Sequence, residues 1–267
     1  MFTVSLIGAP SVRNLEPALA EGLRNAWGGG DVIWLAPDEA AEFQVPALPD
    51  NRWSVWRDCQ DMRVDLAIHR TARRRKKILL ADMDSTLIRQ ECIDELADEA
   101  GVGKQVADIT ARAMNGELEF EGALRERVKL LRGLGTEVIA RVLSSRITLM
   151  PGAKALVATM KANGGHAVLV SGGFTAFTGH VADLLGFDEH RANTLLDRNG
   201  VLTGEVAEPI LGRDAKVAAL HRTAARLGLT ADDVIAVGDG ANDLGMLGLA
   251  GLGVALHAKP SVAAQCE

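Results

Sequence analysis

The chain has 267 residues, 48% hydrophobic and 24% charged, a balance that supports a sizeable buried core and excludes a disordered, collagen-like or coiled-coil protein. With 29 basic against 35 acidic residues the formal net charge is -6, so there is no global positive field for nucleic acid or an anionic membrane. A phosphorylated substrate would need its compensating charge placed locally or carried by a metal.

The first 70 residues read as a small α/β unit. Phe2 to Ile7 has the pattern of a strand and Leu15 to Trp27 that of an amphipathic helix. Gly28-Gly29-Gly30 makes a break, and Asp31 to Leu35 forms a second strand. Pro37, Pro46 and Pro49 interrupt the stretch after it. The amino terminus lacks a basic segment and its apolar stretch is short, so no signal peptide is expected. Residues 71–77, within the run RTARRRKK, are expected to be a solvated basic linker, because no aromatic residue is interleaved for stacking on bases.

From Ile78 the pattern changes. Ile78 to Ala81, Ala167 to Val170 and Val234 to Val237 are short, continuous apolar runs, each expected to stop at a polar or glycine-rich turn. Helical stretches, notably Gly152 to Ala162 and Ala215 to Leu227, lie between them. This alternation predicts a doubly wound parallel sheet, Rossmann-like, over residues 78–89 and 151–267, with its polar turns gathered at the carboxyl edge. Residues 90–150 read as wholly helical, too long for one crossover, and are expected to form an inserted cap. Asn199-Gly200 between apolar runs predicts a type I′ hairpin. The longest apolar run, Met246 to Leu256, is interrupted by glycine and falls short of the roughly 20 residues of a membrane span.

The residues able to do chemistry sit at the ends of the apolar runs. Asp82 and Asp84 follow the first run two residues apart and share a face. Carboxylates this close repel unless a cation compensates, and in a parallel sheet Asp239 would complete a set of hard oxygens suited to Mg²⁺. Ser171-Gly172-Gly173 offers a hydroxyl and backbone N–H groups to a phosphate. Lys216, near a predicted helix start, would be an ordinary solvated lysine on its own, but it supplies the one cation the set needs. Neither a dinucleotide-binding fingerprint nor a P-loop occurs. Cys59, Cys92 and Cys266 have no CxxC spacing, which argues against a disulfide framework and for a reducing compartment.

DMDSTLI, VSGGF, the isolated Lys216 and VGDGAND, in that order, resemble the four motifs of haloacid dehalogenase superfamily phosphotransferases. The stretches QECIDELA and MNGELEFEGALRERV extend the resemblance to the branch that acts on O-phospho-L-serine, across Asp82 to Pro260. The resemblance implies that Asp82 is the nucleophile, forming an aspartyl phosphate, and that Asp84 is the general acid and base. It also implies Mg²⁺ held by Asp82, the Asp84 carbonyl and Asp239. Ser171, Gly172, Lys216 and Asn242 would hold phosphate, with Asp243 orienting them. Glu91 and Arg127 would grip the ammonium and carboxylate of the substrate, against an apolar wall of Met114 and Phe120. Residues 1–70 would be a divergent ACT-like regulatory unit. The family pattern usually continues through another strand and helix after Ala258-Lys259-Pro260, whereas this sequence stops at Glu267, so continuation of the natural chain is left open.

The expected activity is thus Mg²⁺-dependent hydrolysis of phosphoserine, the last step in forming L-serine, by a cytoplasmic enzyme. No nucleic-acid or membrane partner is expected, and a homodimer is an open option. A phosphotransferase of the same fold, passing the phosphoryl group to an alcohol such as homoserine, is the nearest alternative, since the cap pocket chooses the acceptor. An amino-acid sensor with a degenerate catalytic domain is the alternative outside enzymes, and the intact acids and lysine weigh against it.

Overall fold

In the computed structural model, which describes every residue except 115, 116, 259, 266 and 267, alternating apolar positions near the amino terminus build an antiparallel sheet. Its elements are β1 (Phe2–Gly8), α1 (Pro17–Ala26), β2 (Ile33–Ala36), β3 (Ala40–Val45), α2 (Arg52–Asp61) and β4 (Val64–Arg70), with strand order β2-β3-β1-β4. This βαββαβ order is the ferredoxin-like plan. Val4, Leu6, Phe43, Val45 and Leu66 face the helices and close a core with Leu15, Ala20 and Cys59. Pro17 opens α1, where its missing N–H costs nothing.

Pro37, Pro46 and Pro49 fall between elements, so β3 and α2 fit where sequence reading saw only interruption. The basic stretch is also not a solvated connector throughout. Thr71 Oγ1 lies 3.1 Å from Thr3 Oγ1, and the Arg74 guanidinium pairs with Glu42, which also accepts a 3.1 Å hydrogen bond from Ser5. Buried hydroxyls and a shielded carboxylate on the sheet thus engage part of the linker. The first compact unit accordingly runs from Met1 to Arg75, and the second begins at Lys76.

In the second unit, β5 (Ile78–Ala81) is followed by four helices, α3 (Cys92–Glu99), α4 (Gly103–Met114), α5 (Phe120–Lys129) and α6 (Glu137–Ser145). Then come α7 (Ala153–Ala162), β6 (His166–Phe174), α8 (Thr175–Leu185) and β7 (Glu189–Asn193). The chain continues through β8 (Leu195–Arg198), β9 (Val201–Val206), α9 (Arg213–Arg226), β10 (Val234–Gly238), α10 (Leu244–Leu249) and β11 (Leu252–Ala255). The main sheet is parallel throughout, in the order β11-β10-β5-β6-β7. Every residue of the central strand β5 is buried, because helices cover both faces. Leu79 and Ala81 join one apolar cluster with Val157 and Phe177, while Ile78 and Leu80 join another with Leu220 and Met246.

The helical stretch over residues 90–150 is present as α3 to α6. Asn199 (φ 55°) and Gly200 (φ 77°) both adopt the left-handed region between β8 and β9, as a type I′ turn requires. Two features differ from expectation. Strand β11 lies inside the apolar run Met246 to Leu256, where glycines hid it. Strand β6 does not stop at Val170 but carries Ser171-Gly172-Gly173 within it as far as Phe174. Among the described residues, no helix is long and apolar enough to cross a membrane.

Candidate active site

Parallel register brings the acids together. Ala81 pairs with Val237 and with Leu169, so the segments leaving β5, β6 and β10 emerge side by side at one sheet edge. The Asp82 N–H donates to the Val237 carbonyl (3.0 Å), which fixes Asp82 next to the end of β10. Carboxylate oxygens of Asp82, Asp239 and Asp243 lie within 4.8 Å of one another.

Lys216, expected to be solvated if taken alone, is fully buried at this edge. Its Nζ lies 2.9 Å from Asp82 Oδ1 and donates to Asp243 Oδ1 at 2.6 Å. Burial works to lower the ammonium, but Asp82 and Asp243 outweigh it and hold Lys216 above the ordinary lysine value. Burial pushes the Asp82 carboxyl well up, with Asp243 and Asp84 adding to the effect and Lys216 opposing it.

Asp243 is already spent on the protein. Besides Lys216, it accepts the N–H groups of Asp239 (3.2 Å) and Gly240 (3.0 Å), so it braces the loop after β10 and the lysine. Asp239 accepts the Thr86 hydroxyl at 3.0 Å. Asp82 Oδ1 is buried with no hydrogen bond, its contact to Lys216 being an ion pair outside hydrogen-bond angles. An uncapped carboxylate oxygen beside Asp239 fits a divalent cation of hard character. The Asp84 carboxylate is not one of these clustered acids. It accepts the Cys92 N–H on Oδ1 (2.9 Å) and the Ser171 hydroxyl on Oδ2 (3.2 Å). Burial raises the Asp84 carboxyl.

The cradle is built on the end of β6. Ser171 Oγ donates to Asp84 and accepts the Gly173 N–H at 2.8 Å. A Cβ on Gly173 would lie 2.7 Å from Asp84 Oδ2, so that position needs glycine for space, and one on Gly172 would be tight against the Phe120 ring at 3.1 Å. Asn242 folds its amide back over Gly240.

From the helical insertion, Glu91 receives the Ser85 hydroxyl at 2.7 Å. Glu91 keeps an accessible face yet lies in a recess dense with protein atoms. This desolvation, with Asp84 nearby, pushes its carboxyl up to about 7. Arg127 is half-buried on α5, and its Nε donates to the Ala123 carbonyl at 3.3 Å, which orients the guanidinium. Burial lowers its pKa, while Asp94 and Glu91 counter that. Phe120 reaches the core against Gly172 and Gly212. Met114 ends α4, and its side chain lies outside the described residues.

Sequence reading passed over three participants. Thr86 and Cys92 stand inside quoted motifs, but their bonds to Asp239 and Asp84 carry no spacing signal. Asn193, buried on β7, has no motif at all.

A parallel α/β domain with buried acids, one buried lysine and a hydroxyl-and-glycine cradle at its carboxyl edge defines a phosphoryl-handling hydrolase. The family model described as haloacid dehalogenase-like hydrolase matches residues 79–248, and the chain belongs to that family. Within it, the chain is 40% identical over 266 residues to a phosphoserine phosphatase of Streptomyces coelicolor, covering 97% of this chain and 65% of that protein. A haloacid dehalogenase-family hydrolase from Salmonella enterica serovar Typhi superposes with a TM-score of 0.88 at 32% identity, over 100% of this chain and 93% of that one. A phosphoserine phosphatase solved as a phospho-aspartyl intermediate analogue gives a TM-score of 0.67 at 41% identity, over 73% of this chain and 92% of that one. The chain spans between 59% and 65% of the length of the first curated relatives it matches.

Proposed function

We propose that this chain hydrolyses O-phospho-L-serine to L-serine and phosphate through an aspartyl phosphate on Asp82, with Mg²⁺ as cofactor. The observation that carries the reading is the buried contact of Lys216 with Asp82, in a cluster with Asp239 and next to the Ser171 cradle. The relative solved as a phospho-aspartyl analogue supports the covalent step.

Asp82 attacks phosphorus as the bond to the seryl oxygen breaks, and Asp84 gives that oxygen its proton. Burial raises Asp84 and so favours the protonated acid this step needs. Asp84 then takes a proton from the water that cleaves the aspartyl phosphate. Ser171, Gly172, Lys216 and Asn242 hold phosphoryl oxygens, and Asp243 keeps Lys216 and the loop after β10 in place. Asp82, the Asp84 carbonyl and Asp239 would hold Mg²⁺, which supplies positive charge against the phosphoryl oxygens. Glu91 and Arg127 take the ammonium and carboxylate of the serine moiety, with Phe120 and Met114 as the apolar wall. The free buried thiols Cys59 and Cys92 suit a reducing, cytoplasmic setting.

Phosphate release from a panel of phosphorylated amino acids and sugars tests this reading. Phosphoserine should be hydrolysed fastest, excess EDTA should abolish release, and Mg²⁺ should restore it. A phosphosugar preferred over phosphoserine, or full activity in EDTA, would refute it.

Residues 1–75 form a separate regulatory or assembly unit in this reading. Deleting them should leave activity per folded molecule within roughly tenfold, ~1.4 kcal/mol of transition-state stabilisation. A truncated protein that melts cooperatively yet is inert would place catalytic parts in that unit.

A further inference from the structure

The cradle at the end of β6 is an irregular piece of sheet. Val170 stands opposite Arg191 and Phe174 opposite Asn193, so β6 advances four residues while β7 advances two. The two extra residues push Ser171-Gly172-Gly173 out of register with β7, and β5 ends below them at Ala81, opposite Leu169. A bulge of this kind leaves backbone groups without ladder partners, and another group must take them if the shape is to be held.

Asn193 does this. It is 2% exposed, and its Nδ2 donates to the Gly172 carbonyl at 2.8 Å and to the Leu211 carbonyl at 3.3 Å. Its Oδ1 accepts the Leu211 N–H at 2.7 Å. One amide therefore ties the middle of the cradle to the residue just before Gly212, from which α9 leads to Lys216. Both tied segments also touch the same ring. A Cβ on Gly172 would lie 3.1 Å from Phe120, and one on Gly212 would lie 3.2 Å from it. The ring therefore lies close against both glycines, with little room for a side chain at either, and Asn193 is the shared anchor of both segments.

We infer that Asn193 is a positioning residue for phosphoryl transfer, setting the cradle and the approach to Lys216 as one rigid piece without touching the substrate. The inference rests on the proposed phosphatase reading. An amide is required because the site needs two donors and an acceptor in one plane, which neither Asp nor Ala supplies. An aspartate there keeps the bond from Leu211 N–H but sets its other oxygen against two carbonyls.

The test uses N193D and N193A in the full chain, with Val234→Ala as a destabilised control at the far, amino end of β10. Steady-state rates on phosphoserine and p-nitrophenyl phosphate are measured beside thermal melts. Misplacing a cradle by about an ångström lowers turnover on the order of 10- to 100-fold. Both Asn193 variants should lose that much kcat on both substrates while KM for phosphoserine stays within about threefold. Val234→Ala, though less stable, should keep the wild-type kcat per folded molecule. A crystal structure of N193A should show Gly172 and Leu211 moved apart. Wild-type kcat in folded N193D and N193A, or a loss that only follows the unfolded fraction, overturns the inference. A wild-type protein inactive on every phosphate ester refutes the phosphatase reading instead, and the N193A structure then decides alone: an unmoved cradle overturns the positioning role.

Discussion

Asp82→Asn should lower turnover on phosphoserine on the order of a thousandfold or more while the protein keeps its fold. An amide in this position cannot form the aspartyl phosphate, so single-turnover quenching should trap no acid-stable phosphoprotein. The fold should survive because the substitution removes a charge that burial disfavours. Desolvation raises the Asp82 carboxyl well above its ordinary value, so without a bound cation the ionised form opposes folding at neutral pH. Lys216 is left with its 2.6 Å bond to Asp243, so no buried ammonium is stranded. The melting temperature of the metal-free variant should therefore equal or exceed that of the metal-free wild type. Undiminished phosphate release by Asp82→Asn would remove Asp82 from the chemistry.

Arg127→Ala should lower kcat/KM for phosphoserine roughly 10- to 150-fold, since a charge-assisted contact of this kind contributes about 1.5–3 kcal/mol. A guanidinium suits the role because its fork can bind a carboxylate through two parallel bonds. Here it is half-buried, oriented by the Ala123 carbonyl, and flanked by Asp94 and Glu91. The loss should be far smaller on p-nitrophenyl phosphate, which offers no carboxylate. Equal losses on the two substrates would show that Arg127 supports the fold or the chemistry and does not read the substrate.

How much of the fold and site is legible in the sequence can be traced through single residues. Asp82, Asp84 and Asp239 are readable because each follows a buried apolar run, and runs of four residues with no polar face have few homes except the middle of a parallel sheet. Asn199-Gly200 is readable because a type I′ turn needs two left-handed residues, and few pairs supply them. The strands β3 and β11 and the helix α2 are not readable, since prolines at their margins or glycines within resemble interruption until neighbours are in place.

The sequence by itself determined the alternation of buried strands with helices in the second unit, the carboxyl edge as the place of chemistry, and the residue types that meet there. These come from local patterning, which needs no partner to be recognised. Only the tertiary structure decided which way each side chain turns and what it binds. Asp84 turns to Ser171 and to the Cys92 N–H, Asp243 is consumed in bracing Lys216, and Arg74 leaves the linker to meet Glu42. Asn193 reaches back across a two-residue bulge to hold Gly172. Each of these outcomes depends on burial and on atoms distant in sequence, because a polar group withdrawn from water must find whichever partner the packing brings within reach.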